Sequence, residues 1–228
     1  DGGTNGATDG RDTTEQAAVV GGSLVAFAGD LPQSHREDIY LSTLYAQQAT
    51  RAAVADGLVG DWFEYYRNTL KFIGWDVPPP AGLPATSTDT MGRQVIQQIS
   101  RRLGESFSIP ISLAMAALER NQAALDLFES SSLTQEVGVF QAIPCVANGP
   151  NKVELGLYHR EFRLFRGAPR FLFAPEQVQE SREQMTLLTF NTLYYAQFRE
   201  KVKKAVLALS RRAIRGLQNC APPPRRVV

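Results

Sequence analysis

The residues with the greatest chemical reactivity in this sequence are two cysteines, Cys145 and Cys220, and two histidines, His35 and His159. Cys145 closes an apolar run just before an Asn-Gly pair at residues 148 and 149. A cysteine in that setting can be an inert core thiol, half of a disulfide, a catalytic nucleophile or the attachment point of an apolar group. The residues around Cys145 narrow the choice between these roles.

A catalytic pair of Cys145 and His159 would have to form across the turn that the Asn-Gly pair predicts. If the chain turns at residues 148 and 149, Cys145 pairs with Lys152 and His159 pairs with Gly138. The two side chains then lie several positions apart along the strands, about 23 Å, whereas a catalytic pair needs contact at about 3 Å. The pattern disfavours this pair, and a thioesterase or acyltransferase with Cys145 as nucleophile stays an alternative.

Motifs of other enzyme classes and of metal sites are missing from the sequence. It contains no G-x-S-x-G, H-E-x-x-H, P-loop or C-x-x-C motif. With only two histidines, a histidine-based metal site is not expected. A disulfide between Cys145 and Cys220 is not expected either, because Cys220 lies in a proline-rich tail whose position is poorly fixed. Whether the protein is an enzyme stays open.

The residues before the turn alternate as a β-strand does. One face carries Val137, Val139, Gln141, Ile143 and Cys145, and the other carries Phe140, Ala142 and Val146. Because both faces are mostly apolar, we expect a strand between two layers of the protein. Cys145 is therefore expected to be poorly accessible to solvent, either as a plain core thiol or as a buried attachment point.

Helix signals fill the first part of the chain and strand signals follow. Predicted helices cover residues 34–56, 62–74, 89–103, 109–129 and 191–216, and predicted strands cover 136–146, 152–165, 170–174 and 185–190. Ser34 and Asp61 are the predicted caps of the first two helices, and the last helix carries an apolar stripe that extends to Leu217. This order predicts an α+β fold. Its sheet is small, four-stranded and mostly antiparallel, lies in the C-terminal half, has helices on one face, and packs against a helical N-terminal half and a long C-terminal helix.

Composition predicts a single globular domain between two irregular ends. The chain is 43% hydrophobic and 21% charged, as in ordinary globular proteins, and has no apolar run long enough to span a membrane as a helix. We expect a disordered arm at residues 1–18, one α+β domain at 19–218 and a flexible basic tail at 219–228. The expected location is the cytoplasm or a membrane surface, with secretion left open, and the sequence does not indicate the oligomeric state.

Positive charge is concentrated at the C-terminal end. Residues 199–228 carry a net charge of +8, against −7 for residues 1–198. The candidate contacts with an anionic membrane surface are Lys201, Lys203, Lys204, Arg211, Arg212 and Arg215. A solvated helix face packed on an acidic body is the alternative. No nucleic-acid partner is expected.

Four stretches of the chain, spanning about residues 24–210, together resemble a known family. They are VAFAGDLPQSHREDIYLSTLYAQQATRAA, WFEYYRNTLKFIGWDV, FQAIPCVANGPNKVELGLYHREF and EQMTLLTFNTLYYAQFREKVKKAV. Their order is similar to that in the Evf-like family of small bacterial virulence factors. The resemblance implies an α+β fold, a role in virulence or host colonisation, and a fatty acyl chain on a cysteine buried in the core.

Cys145 is the position of this sequence that matches the acylated cysteine of the family. The resemblance therefore implies a lipoprotein with a covalently bound fatty acyl group, such as palmitate, on Cys145. Phe140, Phe171 and Phe173, with the alanine-rich fourth helix, are candidates for the lining of its pocket, because a long chain needs an apolar cavity. A non-catalytic interaction domain is the remaining alternative.

Overall fold

The computed structural model describes residues 15–29, 31–86, 89–167, 170–175 and 178–218. Its centre is an eight-stranded sheet in the order β3-β7-β6-β5-β2-β1-β8, with β4 paired beside β5. The strands are β1 (Ala17–Val20), β2 (Ser23–Ala28), β3 (Ala81–Gly82), β4 (Leu133–Thr134), β5 (Val137–Ala147), β6 (Lys152–Leu164), β7 (Val178–Asn191) and β8 (Ile214–Leu217). Among the described pairings, only β2 with β5 is parallel.

Helices cover both faces of this sheet. They are α1 (Gln33–Ala55), α2 (Trp62–Phe72), α3 (Met91–Leu103), α4 (Glu105–Arg120), α5 (Gln122–Ser132), α6 (Thr192–Tyr195) and α7 (Arg199–Ala213). One core cluster joins α1, α2 and α7 to the sheet face that carries Cys145, and a second joins α3, α4 and α5 to the face that carries Phe140. We call these the Cys145 face and the Phe140 face.

The β5–β6 hairpin confirms the predicted pair of strands around the Asn-Gly turn, with a different register. Cys145 pairs with Leu155, and His159 pairs with Gln141. The chain turns over residues 148–151, where the Asn148 amide donates to the Lys152 carbonyl at 2.9 Å. The last pair is Ala147 with Val153, which leaves five residues between the paired ends instead of the predicted two, so every pair shifts by three positions along β6. The predicted division of side chains between two faces holds, since Ile143 and Cys145 lie in one core and Phe140 and Ala142 in the other.

The mixture of helices and antiparallel strands confirms the α+β class, but the prediction of a four-stranded sheet with one covered face is wrong. The apolar stretch at residues 17–28 forms β1 and β2, so the sheet extends into the N-terminal part of the chain. Residues 170–174, predicted as a strand, form no strand among those described; Phe171 and Leu172 instead bind the Glu129 carboxylate through their backbone amides at 2.8 and 3.2 Å.

The first strand begins before the predicted start of the domain. β1 begins at Ala17, ahead of the predicted start at residue 19, while residues 1–14 of the predicted arm lie outside the described residues. The predicted tail, residues 219–228 with Cys220, also lies outside them. The described strand β8 ends at Leu217 and pairs with β1, so the two ends of the described chain meet at one edge of the sheet.

The starts of α1 and α2 lie within one residue of their predicted positions, whereas the predicted fourth helix is divided. Asp61 caps α2 as predicted, because its Oδ1 accepts from the Glu64 amide at 3.0 Å. The predicted cap at Ser34 does not form, since α1 begins at Gln33 after Pro32 without a side-chain cap. The predicted fourth helix is two helices, α4 and α5, separated at Asn121, whose side chain caps α5.

The predicted C-terminal helix at residues 191–216 is also two helices followed by a strand. Asn191 caps the short helix α6, and a break at residues 196–198 precedes α7. α7 ends at Ala213, and the chain then enters β8. Leu217, which the helical pattern placed on the apolar stripe of that helix, lies in β8 and packs in the core of the Phe140 face.

Candidate functional site

Cys145 lies in the middle of the sheet with its side chain fully buried on the Cys145 face. Its thiol donates a hydrogen bond to the Ile143 carbonyl at 3.5 Å. Burial raises the pKa of Cys145 well above that of a free cysteine, so the sulfur is held as a neutral thiol. A buried neutral thiol is a poor nucleophile, because the thiolate is the reactive form.

The predicted pocket residues lie on the opposite side of the sheet from Cys145. Phe140 and Phe171 are buried on the Phe140 face, where their rings stack with centroids 6.0 Å apart. Phe173 is partly buried against the same core, beside Gly92. The structure therefore brings the three phenylalanines together but separates them from Cys145 by the thickness of the sheet. A chain attached to Cys145 would enter the core under α1, α2 and α7 instead.

His159 lies on the Cys145 face but does not contact Cys145. Its pairing partner Gln141 is four residues from Cys145 along β5, a separation of about 13 Å. The imidazole is fully buried and stacks on the Phe63 ring at a centroid distance of 4.1 Å and on the Trp62 ring at 5.4 Å. This placement rules out a direct Cys145–His159 pair.

A chain of buried hydrogen bonds connects His159 to the β1–β2 turn. Gln47 is fixed by the backbone, since its Oε1 accepts from the Gly22 amide at 3.0 Å and its Nε2 donates to the Val20 carbonyl at 2.8 Å. Its Nε2 also donates to Ser23 Oγ at 2.9 Å. Ser23 Oγ donates to Gln141 Oε1 at 2.7 Å, and Gln141 Nε2 lies 3.1 Å from His159 Nδ1. We call this set of residues the Gln47–His159 chain.

The Gln47–His159 chain sets the protonation state of the imidazole. Because Gln141 Nε2 can only donate, His159 Nδ1 must accept, so the ring is neutral with its proton on Nε2. That nitrogen donates to Glu161 Oε1 at 2.9 Å. Burial lowers the pKa of His159, while the Glu161 carboxylate opposes that shift. The histidine is therefore a fixed hydrogen-bonding group of the core, and no nucleophile lies next to it on the strand.

A second polar cluster lies on the Phe140 face and was not predicted. Arg160 and Glu183 form a buried ion pair at 3.4 Å, and the Tyr158 hydroxyl donates to Glu183 at 2.5 Å. Arg160 also donates to Gln94 Oε1 at 2.7 Å and to Ser181 Oγ at 2.9 Å. Burial raises the pKa of Tyr158 well above its ordinary value. With its charges paired and its donors engaged, this cluster stabilises the junction of β6, β7 and α3.

The sequence signal for this cluster was the run Tyr158, His159 and Arg160 inside a strand. Charged residues are almost never fully buried unless they are paired. A strand of this length at the centre of a sheet therefore implied a buried partner for Arg160. The partner could not be located, because the register between β6 and β7 is set by tertiary pairing over a long separation in the chain.

The predicted basic residues lie on and just after α7. Lys201, Lys204, Arg211 and Arg212 point away from the core, Lys203 is half-buried, and Arg215 is exposed on the edge strand β8. The core-facing side of α7 consists of Val202, Val206, Ser210 and Ala213. Arg199 is not part of the solvent-facing set, because it forms a two-point ion pair with the buried Asp38, both contacts at 2.8 Å.

Exposed apolar side chains accompany these cations. Phe72, at the end of α2, is 64% exposed, and Lys201 Nζ lies 4.3 Å from the centre of its ring. Tyr194 and Leu207 are also largely exposed. Tyr194 packs on Phe198, which in turn contacts Gly74 just beyond α2, so the ends of α2 and α7 lie side by side. We call the surface of Phe72, Tyr194, Lys201, Lys204, Leu207 and Arg211 the α7 surface.

Comparisons with known proteins show only distant likeness. No family model and no curated protein matches the chain. A delta-endotoxin structure matches at 16% identity and a TM-score of 0.39, covering 72% of this chain and 78% of the other. The structure of the Evf virulence factor matches at 12% identity and a TM-score of 0.34, covering 83% of this chain and 84% of the other. Both TM-scores are too low to assign a fold family or a function.

No described helix has the length and apolar character required to cross a membrane. No group of three or more histidine, cysteine or acidic side chains in the described part of the chain is arranged to hold a metal ion.

Proposed function

We propose that this protein is a virulence or host-colonisation factor that works at anionic membrane surfaces and carries a fatty acyl chain. The α7 surface is the observation that carries the membrane part of the proposal. It combines cations that lack described ion-pair partners, Lys201, Lys204 and Arg211, with exposed aromatic and aliphatic side chains. Such a combination fits the boundary between lipid headgroups and acyl chains.

The physics of this contact predicts a salt-sensitive, reversible association. Each lysine or arginine near an anionic bilayer contributes about 1 kcal/mol, and the attraction is screened beyond about 10 Å at 0.1 M salt. Phe72 and Tyr194 add the apolar contact that distinguishes a membrane surface from a soluble polyanion. The paired Arg199 contributes little, because Asp38 already neutralises it.

Vesicle sedimentation tests the membrane proposal. The wild-type protein should sediment with vesicles of phosphatidylserine and phosphatidylcholine at low salt, and binding should fade as salt rises. The variant Lys201→Glu/Lys204→Glu/Arg211→Glu should lose binding. The matched control Arg93→Glu/Arg101→Glu/Arg102→Glu has the same net charge but changes exposed residues of α3 on the other face, and it should bind nearly as wild type does. Equal loss in both variants, or no wild-type binding at low salt, contradicts the proposal.

The acyl part of the proposal concerns Cys145. Its support is the full burial of the sulfur in an apolar cluster on the Cys145 face, where a thioester would be protected from water. The core there must open to admit the chain between the sheet and the helices α1, α2 and α7. The alternative of Cys145 as a catalytic nucleophile has less support, because the thiol is neutral and His159 is about 13 Å away.

Intact-mass spectrometry and thermal unfolding test this second part. The acylated protein should be heavier than its sequence by the mass of a fatty acyl group, and Cys145→Ser should remove that mass. The substitution should then lower stability by several kcal/mol, because the lost chain leaves a cavity. Cys220→Ser is the control and should keep the added mass. A wild-type mass equal to that of the sequence, with a loss of only about 1–3 kcal/mol in Cys145→Ser, would make Cys145 a plain core residue.

A further inference from the structure

An open groove of about 570 Å³ lies at the end of the molecule where α1 ends, α5 ends and β5 begins. Its walls include Arg51, Val54, Trp62, Leu133, Val137 and Val139. We call it the Arg51 groove. Its volume falls in the range of small-molecule binding sites. It lies outside the hydrogen-bonded chain of His159 and at the other end of β5 from Cys145.

The walls of the Arg51 groove are partly open to solvent and have an apolar side and a polar side. Val54, Trp62, Leu133, Val137 and Val139 form the apolar side, and Ser130, Ser131, Ser132, Thr134 and Gln135 add polar groups. Val54 is 47% exposed and Val137 is 39% exposed, so two β-branched side chains face water at this site. Trp62 adds an aromatic wall, held in place by stacking on Tyr66 at a centroid distance of 5.3 Å and on His159 at 5.4 Å. The groove is thus rigid on its Trp62 side and has apolar surface that a ligand would remove from water.

Arg51 is the one charged residue among those that line the groove. Among the described residues, no carboxylate lies within ion-pair distance of its guanidinium, in contrast to Arg160, Arg170 and Arg199. The Arg51 side chain is exposed to solvent overall, and its partial burial against the groove lowers its pKa. A cation in contact with apolar walls and without a counter-charge favours a ligand that brings its own negative charge.

We propose that the Arg51 groove binds a small amphiphile with one carboxylate and an apolar chain. The carboxylate pairs with the guanidinium, whose planar fork matches it in two hydrogen bonds. The chain lies against Val54, Trp62 and Val139. A single cation balances one negative charge, so a monocarboxylate fits the site better than a phosphate dianion does.

This site is independent of acylation at Cys145 and of membrane contact. Val139 and Cys145 are six residues apart on one strand, about 20 Å, and the buried Gln141 and Ile143 lie between them. The ligand is held without a covalent bond. A negative result for ligand binding in the groove would therefore not affect the proposals for the α7 surface and Cys145. Negative results for those two proposals would likewise not affect the proposal for the groove.

Binding of dodecanoate, followed by tryptophan fluorescence and calorimetry, tests the proposal. Dodecanoate below its micelle concentration should bind the wild type and change the emission of Trp62, and Trp62→Phe should remove the optical signal. Arg51→Gln should weaken binding by about tenfold or more, the usual effect of losing a charge-assisted hydrogen-bonded pair. Arg101→Gln, at an exposed position of α3, should leave the affinity unchanged.

Two further measurements separate the specific pair from general detergent-like adsorption. Dodecanol has the same chain without the charge, so it should bind the wild type as weakly as dodecanoate binds the Arg51→Gln variant. The Arg51→Gln substitution should not weaken the binding of dodecanol further. Val54→Asp, at an exposed position on the wall, should reduce binding of both probes. Equal affinity of dodecanoate for wild type and Arg51→Gln, or no saturable binding at all, would overturn the proposal.

Discussion

The two faces of the sheet bury their polar side chains in different ways. The Cys145 face holds the neutral Gln47–His159 chain, in which each donor meets one acceptor. The Phe140 face holds full charges, Arg160 and Glu183, which neutralise each other. The two arrangements involve neighbouring residues of β6, because the side chain of His159 points to one face and that of Arg160 to the other. A single strand therefore contributes to two cores with different electrostatics.

This difference shows where the molecule tolerates change. Replacing a member of a neutral chain removes hydrogen bonds but leaves no unpaired charge, whereas a buried charge that loses its partner stays buried without compensation. We therefore expect the Arg160–Glu183 cluster of the Phe140 face to be more sensitive to substitutions of single polar residues than the Gln47–His159 chain of the Cys145 face.

The largest effect is expected for Arg160→Met. This change leaves the Glu183 carboxylate buried with only the Tyr158 hydroxyl and the Gln98 amide as partners. Removing one partner of a buried ion pair costs about 3–5 kcal/mol, to be measured as the free energy of unfolding in urea. Arg182→Met, at the exposed neighbouring position on β7, is the control and should change stability little.

The double variant Arg160→Met/Glu183→Gln tests the cause of this loss. It removes both charges, so it should recover much of the stability that Arg160→Met loses. If the double variant is as unstable as the sum of its single changes, the ion pair is not the reason for the sensitivity of the Phe140 face.

A smaller effect is expected for Gln141→Leu on the Cys145 face. The change removes the acceptor of the Ser23 hydroxyl and the donor to His159 Nδ1, and it introduces no charge. We expect a loss of about 1–3 kcal/mol in the free energy of unfolding, measured under the same conditions as for Arg160→Met. A loss as large as that of Arg160→Met would contradict the expected ranking of the Arg160–Glu183 cluster and the Gln47–His159 chain.

The sequence predicted local features of this fold and missed those that depend on distant partners. The cap at Asp61, the β5–β6 hairpin and the burial of Cys145 follow from residues close together in the chain. The strands β1 and β2 are short, and β2 pairs with β5 across more than a hundred residues, so local patterns did not reveal them. The phenylalanines expected to line a pocket for Cys145 lie on the other face, because side chains alternate along β5 and Phe140 is an odd number of residues from Cys145.

The stability of the folded protein should depend on pH through His159. Burial lowers the pKa of His159 in the folded protein. At a pH between that lowered pKa and the ordinary histidine pKa of about 6.5, the unfolded chain binds a proton at His159 that the folded chain does not. Stability is complete above pH 6.5 and falls as the pH drops below it, by at most about 1.4 kcal/mol per pH unit. The loss levels off below the pKa of the folded state.

Urea unfolding of wild type and His159→Gln between about pH 7.5 and 5 isolates this contribution. The variant should be less stable at high pH, because it disturbs the stacking with Phe63, and its stability should fall less steeply as the pH drops. His35→Gln, at a half-exposed position near the start of α1, should keep the slope of the wild type. Parallel slopes for wild type and His159→Gln would show that His159 is not held neutral by its surroundings.

The smallest effect is expected at the tight turn that leads into β5, the strand that both faces share. Thr134 pairs with Val137, so Gln135 and Glu136 form a two-residue hairpin loop. Gln135 has a φ of 58° and is the one described residue other than glycine with a positive φ. A single positive φ at the first loop position is typical of a type II′ turn, which favours glycine there. The left-handed conformation costs a residue with a side chain about 1–2 kcal/mol.

Gln135→Gly should therefore stabilise the protein. The relief of backbone strain is offset in part by the greater freedom of glycine in the unfolded chain, about 0.5–1 kcal/mol, so we expect a net gain of about 0.5–1 kcal/mol and a rise in melting temperature of about 1–4 °C. Glu136→Gly is the matched control one residue later, where φ is not positive. It should lower stability, because it adds freedom to the unfolded chain without relieving strain. If both glycine variants lower the melting temperature equally, the backbone at Gln135 is not strained.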